Sequence, residues 1–227
     1  MKALDDYFYD DAIERALERK RVNLITDYDL TTRPALIWQG RPAEPLGLDV
    51  SQEELKNTLG EGAEGKSTDN WWQGFYSGRR VAVVFDGLAC STSLAQYDAG
   101  WITQLHEDGQ LLAGLWTFPQ VQARNSDAPT LVLAEFHQSA FHDFVRLAEK
   151  IYRVAGHRGA VFVTCTMLQA HTLPMANNNG RTQVSPVKRQ TLRWPVLTVG
   201  DTLSFAKAGE MMAARLMRAY GLTPTNA

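Results

Sequence analysis

The sequence predicts an α+β fold, a mixed, mainly antiparallel sheet packed by helices. Two kinds of observation carry that expectation. Hairpin signals occur at 71–86 and 101–118, where apolar-rich runs flank Ser77-Gly78 and His106-Glu107-Asp108-Gly109. Gly-containing turns between such runs favour antiparallel pairing. Helical periodicity marks 4–21, 139–155 and 201–220, outside the hairpins.

In chain order, Leu4, Phe8, Ala12 and Ala16 recur every four residues over 4–21, flanked by Ile13 and Leu17. Asp5 and Asp6 stand at the positive end of that helix dipole, and Arg19, Lys20 and Arg21 at the negative end. Val22, Leu24, Thr26, Tyr28 and Leu30 alternate, the pattern of a strand. A short apolar run, Ala35–Trp38, follows Pro34. Ser51 with Glu54 reads as a capping box for a helix over 52–59. Residues 60–70 are the most loop-like of the first half. The chain reads as one domain over 1–227, and any subdomain boundary falls in that loop.

After the hairpins, Thr130–Phe136 reads as a strand and 139–155 as a helix. The helix stripe is Phe141, Phe144, Val145, Ala148, Ile151, Tyr152 and Ala155, with Asp143 off it and Gly156 as the stop. Ala160–Leu168 is β-branched on both faces and predicts a central strand. Thr172–Val187 reads as a long polar connection. Gln190–Val199 is a last strand, which Pro195 confines to an edge or a bulge. Asp201 is placed to cap a final helix with stripe Phe205, Gly209, Met212, Leu216 and Tyr220, stopped at Gly221.

The chain has 227 residues, 44% hydrophobic and 21% charged, enough for a substantial core without covalent staples. Cys90 and Cys165 are too few for a disulfide framework and too far apart for a paired-cysteine zinc motif. They read as buried thiols of a cytoplasmic protein. The acidic start, Asp5-Asp6, does not suit a secretory leader, and no apolar run is long enough to span a bilayer, so no membrane partner is expected.

Motifs for chemistry are sparse. Gly60, Gly62 and Gly65 precede Lys66-Ser67, but a phosphate loop needs a strand before the glycines and a helix after them. Neither this nor any other motif calls for a cofactor. Asp86 and His106-Glu107-Asp108 suit turns beside glycine. Glu135, His137, His142 and Asp143 lie close together at the expected strand-to-helix junction. Such a group could supply metal ligands or an acid/base pair for a small metal-dependent hydrolase. Their spacing speaks more for a capped, solvated helix start, because His137 and His142 are not on one helical face.

Charge gives the sharper lead. Residues 1–110 carry 19 Asp/Glu against 11 Lys/Arg, a net of −8, and residues 111–227 carry 6 against 12, a net of +6. The basic half contains an acid-free stretch, Asn177–Trp194, that holds Arg181, Lys188, Arg189, Arg193 and Trp194. Arg215 and Arg218, with Arg146, Lys150 and Arg153, could extend it. Lys and Arg neutralise phosphate, and an aromatic face stacks on bases. The expectation is a non-catalytic binding or accessory module that contacts nucleic acid through this segment. The competing expectation is internal pairing with the acidic half. A structural subunit is the third reading, with an exposed Trp71 or Trp72 in a protein contact.

Overall fold

A computed structural model describes residues 4–61, 80–91, 100–118, 120–121, 131–177, 182–184, 187–200 and 202–222. In chain order the elements are α1 (Leu4–Asp27), β1 (Ala35–Pro42), α2 (Glu53–Glu61), β2 (Arg80–Val84), β3 (Gly87–Ser91), β4 (Trp101–His106), β5 (Leu111–Leu115), β6 (Gln120–Val121) and β7 (Leu131–Leu133). Then follow α3 (Ala134–Val154), β8 (Val161–Leu168), β9 (Met175–Asn177), β10 (Thr182–Val184), β11 (Leu192–Arg193), β12 (Leu197–Val199) and α4 (Phe205–Ala219).

The α+β expectation holds. An eight-stranded sheet runs in the order β11-β8-β1-β5-β4-β3-β2, with β12 also paired to β8. Its pairings are antiparallel. A smaller sheet, β10-β9-β7-β6, contains the parallel pair β7 and β9. The short apolar run at Ala35 proves to be the start of a central strand, β1, held between β5 and β8. Period-two alternation divides its side chains between two cores. Leu36 and Trp38 join the core that contains α3 and α4, while Ala35 and Ile37 join Leu24 of α1. The helices therefore lie on both faces of the sheet.

Several expectations need correction. The alternation over 22–30 is not a strand, because α1 continues to Asp27. The buried stripe of α1 is Ile13, Leu17, Arg21 and Leu24, spaced four, four and three apart. A charged residue occupies one turn of that stripe and hid it. Val22 is exposed, as is Ala12, so the buried face is rotated from the one expected. Arg19, Lys20 and Arg21 thus lie in the body of the helix and not at its end.

The hairpin expected over 101–118 is present, with β4 and β5 joined by a turn after His106. Of the hairpin expected over 71–86, the first strand lies outside the described residues. Its second strand, β2, pairs forward with β3 through Phe85-Asp86. Trp71 and Trp72 also lie outside the described residues. Helix α3 begins at Ala134, five residues before the expected start, and shortens the preceding strand to Leu131–Leu133. Asp143 is buried on it, since the helix is covered on most of its circumference. Its stop at Gly156 has φ +70°, a conformation that suits glycine. Helix α4 starts at Phe205 and not at 201. Its cap is Ser204, whose side chain accepts from the Lys207 backbone N–H at 3.2 Å. The Ser51 hydroxyl donates to Asp49, and α2 runs over Glu53–Glu61, taking in Gly60. The polar connection over 172–187 contains the antiparallel pair β9 and β10. Cys90 and Cys165 are buried and form no disulfide, as expected.

Candidate anion-binding site

The site forms at the β11 edge of the large sheet. Leu192 and Arg193 pair with Met167 and Thr166 of β8, and Leu197 pairs with Val163. The edge strand therefore advances four residues while β8 advances three, which is a bulge at Trp194-Pro195-Val196. Pro195 sits where no ladder donor is needed, as its place in the sequence predicts. The bulge leaves the Trp194 carbonyl to accept from the Thr164 hydroxyl at 2.9 Å. It also turns the indole toward α4, where Nε1 donates to the Met212 carbonyl at 2.9 Å.

Helix α4 supplies the second wall. Its apolar stripe, including Met212 and Leu216, is buried against α3 and the sheet. That orientation leaves Arg215 and Arg218 exposed. The pair is three residues apart and so shares one side of the helix. Between this wall and the edge strand lies a cavity of about 460 Å³. Arg189 and Arg193 line it from the strand side, Arg215 and Arg218 from the helix, with Leu192, Trp194 and Ala219 as its apolar parts.

Four guanidinium groups around one concavity make a strongly positive site, since arginine stays charged at any physiological pH. Its neutralisation is slight. Glu18 approaches Arg193 at 3.9 Å, and its carboxylate is already paired with the buried Arg21. Arg21 in turn donates to the Thr166 hydroxyl at 3.0 Å. Burial, reinforced by the charge of Arg193, pulls the Arg21 pKa below its ordinary value. Among the described residues, no other acid forms an ion pair with the four arginines that line the cavity.

The segment named from sequence is only partly gathered here. Arg189, Arg193 and Trp194 line the cavity, and Arg215 and Arg218 join them. Lys188 is exposed beside them but does not line it. Arg181 lies outside the described residues. Trp194 is only 7% exposed and its N–H is committed, so it shapes the wall rather than presenting a free ring face. On α3, Lys150 pairs with Glu61 at 3.6 Å and takes no part in the site.

The metal reading fares differently. Among the described residues, no three His, Cys, Asp or Glu side chains come together to hold an ion. Glu135, His137, His142 and Asp143 all fall on α3, with His137 and Asp143 on faces other than the one Glu135 and His142 share. His137 is buried and stacks on Phe118 with ring centroids 5.0 Å apart. His142 instead lies beside Gly209 of α4.

A separate titratable cluster escaped the sequence reading. Asp86 in the β2–β3 turn, His106 at the end of β4 and Lys20 on α1 meet on the α1 face of the sheet. Lys20 bonds to Asp86 and lies 3.0 Å from His106 Nδ1, which is 3.1 Å from the Asp86 carboxylate. Burial, then the charge of Lys20, pulls the His106 pKa below its ordinary value. Desolvation opposes ionisation of Asp86, but the Lys20 bond and the neighbouring positive charge outweigh it and hold the carboxyl low. Two adjacent hairpins sharing β3 place Asp86 and His106 together, a signal present in the turn spacing. Nothing local points to Lys20.

Compared with known proteins, the chain matches no family model, no curated protein and no solved structure. Among the described residues, no helix is long and apolar enough to cross a membrane.

Proposed function

We propose that this protein is a non-catalytic binding or accessory module that seats nucleic acid, through its phosphates, in the arginine-lined cavity. The observation that carries the reading is that Arg189, Arg193, Arg215 and Arg218 line one cavity with little acid among the described residues to offset them. Guanidinium forks match phosphate oxygens in pairs and hold them at defined geometry. Contacts of this kind bind without reading sequence, because the phosphate backbone carries no base information.

The test is fluorescence anisotropy with mixed-sequence DNA and RNA across a salt series. Neutralisation of phosphate charge by the arginines makes affinity fall steeply as salt rises from 50 to 200 mM. Charge reversal at Arg189 and Arg215 abolishes the binding. Unchanged affinity in that double variant, or affinity indifferent to salt, would overturn the reading.

A further inference from the structure

Within the reading just proposed, we infer that the cavity takes the terminal phosphate monoester of a nucleic acid strand in preference to an internal phosphodiester. The inference rests on the anion-site reading and narrows its ligand.

The first argument is shape. The four arginines do not form a stripe. Arg193 comes from the edge strand, Arg189 from the segment leading into it and two from α4, and they line one open concavity of about 460 Å³. That volume falls within the roughly 300–1,000 Å³ of small-ligand pockets. A polymer tracked along its backbone is served by a groove of cations spaced with its phosphates.

The second argument is charge and oxygen count. A monoester carries about −1.5 to −2 near neutral pH and offers three terminal oxygens. A diester carries a single charge and offers two. The extra charge and oxygen gain contacts where several guanidinium forks line one concavity, as four arginines do here. The third argument is the apolar part of the lining. Leu192 and Ala219 give the sugar attached to a terminal phosphate an uncharged surface to rest on.

The experiment compares single-stranded oligonucleotides of one sequence, bearing a 5′-phosphate, a 3′-phosphate or hydroxyls at both ends. Inorganic phosphate and a nucleoside monophosphate serve as competitors. The expected result is at least tenfold tighter binding of a phosphorylated strand than of the hydroxyl-ended one, with weak competition by the small anions. Arg215→Ala should bring the ratio toward one without altering the melting curve, because Arg215 is exposed. Arg215→Lys, which keeps the charge and loses the fork, should fall between. Equal affinity for all three strands overturns the terminal preference and leaves the nucleic-acid reading standing. A monophosphate that competes as well as a phosphorylated strand reassigns the ligand to a free nucleotide and overturns the commitment to a strand end. No binding by any strand or phosphate overturns both.

Discussion

The indole N–H of Trp194 donates to the backbone carbonyl of Met212, 18 residues along the chain, at 2.9 Å. This bond joins the bulged edge strand to α4, and the four arginines lie on that strand, on the segment leading into it and on α4. The tryptophan ring also packs on Phe141 of α3, with centroids 5.5 Å apart. A change here reaches both the core and the cavity. Trp194→Phe keeps an aromatic ring and loses the donor. We expect a stability loss of about 1–2 kcal/mol, from one hydrogen bond and incomplete filling. Trp194→Ala should cost about 3–5 kcal/mol. Urea unfolding of the two variants checks the ordering, and a Phe variant as unstable as the Ala variant would contradict it.

The cavity arginines should share the anion's charge. Removal of any one, for instance Arg189→Ala or Arg218→Ala, should weaken binding and flatten the slope of log affinity against log salt. Lys188→Ala, just outside the lining, should change the slope by less. Titrations at four or more salt concentrations distinguish these outcomes. A slope that falls most for Lys188 would place the contact surface elsewhere.

His106 Nδ1 lies between a donor and an acceptor. Neutral, it accepts from Lys20; protonated, it donates to Asp86 and is repelled by Lys20. Asp108 adds a further negative charge nearby. The unfolded ring takes up its proton near 6.5 and the folded ring only at lower pH, so acid draws the protein toward the unfolded state. The ring's contribution is complete above pH 6.5 and is lost as pH falls through the folded value. His142, also lowered by burial and then by Arg146, acts in the same direction. We expect the urea midpoint to fall between pH 7.5 and pH 5, and to fall less in His106→Gln. A variant with the wild-type profile would remove His106 from the account. Asp86, held below its ordinary 3.8, adds a separate loss in the more acidic range.

The β2–β3 turn offers an internal contrast. Phe85 is fully exposed, at 104%, and buries nothing. Phe85→Ser should leave stability within about 0.5 kcal/mol. Two residues on, a Cβ at Gly87 would stand 2.1 Å from the Leu105 carbonyl oxygen and 2.8 Å from His106 Cα, both backbone atoms of β4. Gly87→Ala must separate β3 from β4, and we expect a loss of 3 kcal/mol or about that, the upper end for overpacking. Thermal melts of the two single variants test the pair, and a neutral Gly87→Ala would refute the close approach.

Much of this architecture was legible locally. Alternation between Gly-containing turns identified the antiparallel β4–β5 hairpin, and Pro195 placed its strand at an edge or a bulge. The apolar stripes of α3 and α4, with Gly156 and Gly221 as their stops, were also read in place. Where the reading failed, a long-range partner had replaced the local signal. Arg21 interrupts the apolar stripe of α1 because its charge is met by Glu18 and Thr166, from β8. Helix α3 begins early because Phe136 and His137 find aromatic packing on Phe118.

By itself, then, the sequence determined the fold class, the main hairpin, the later helices and the stretch where positive charge gathers without acid. These are properties of neighbouring residues, set by side-chain period, turn conformation and composition. Only the tertiary structure decided that Arg189 and Arg193 meet Arg215 and Arg218, and that Lys20 reaches Asp86 and His106. Those meetings depend on which strand β8 pairs with at its edge, on the one-residue bulge there, and on the face that α4 buries. Each is chosen by the packing of the whole core, and no local window of sequence contains it.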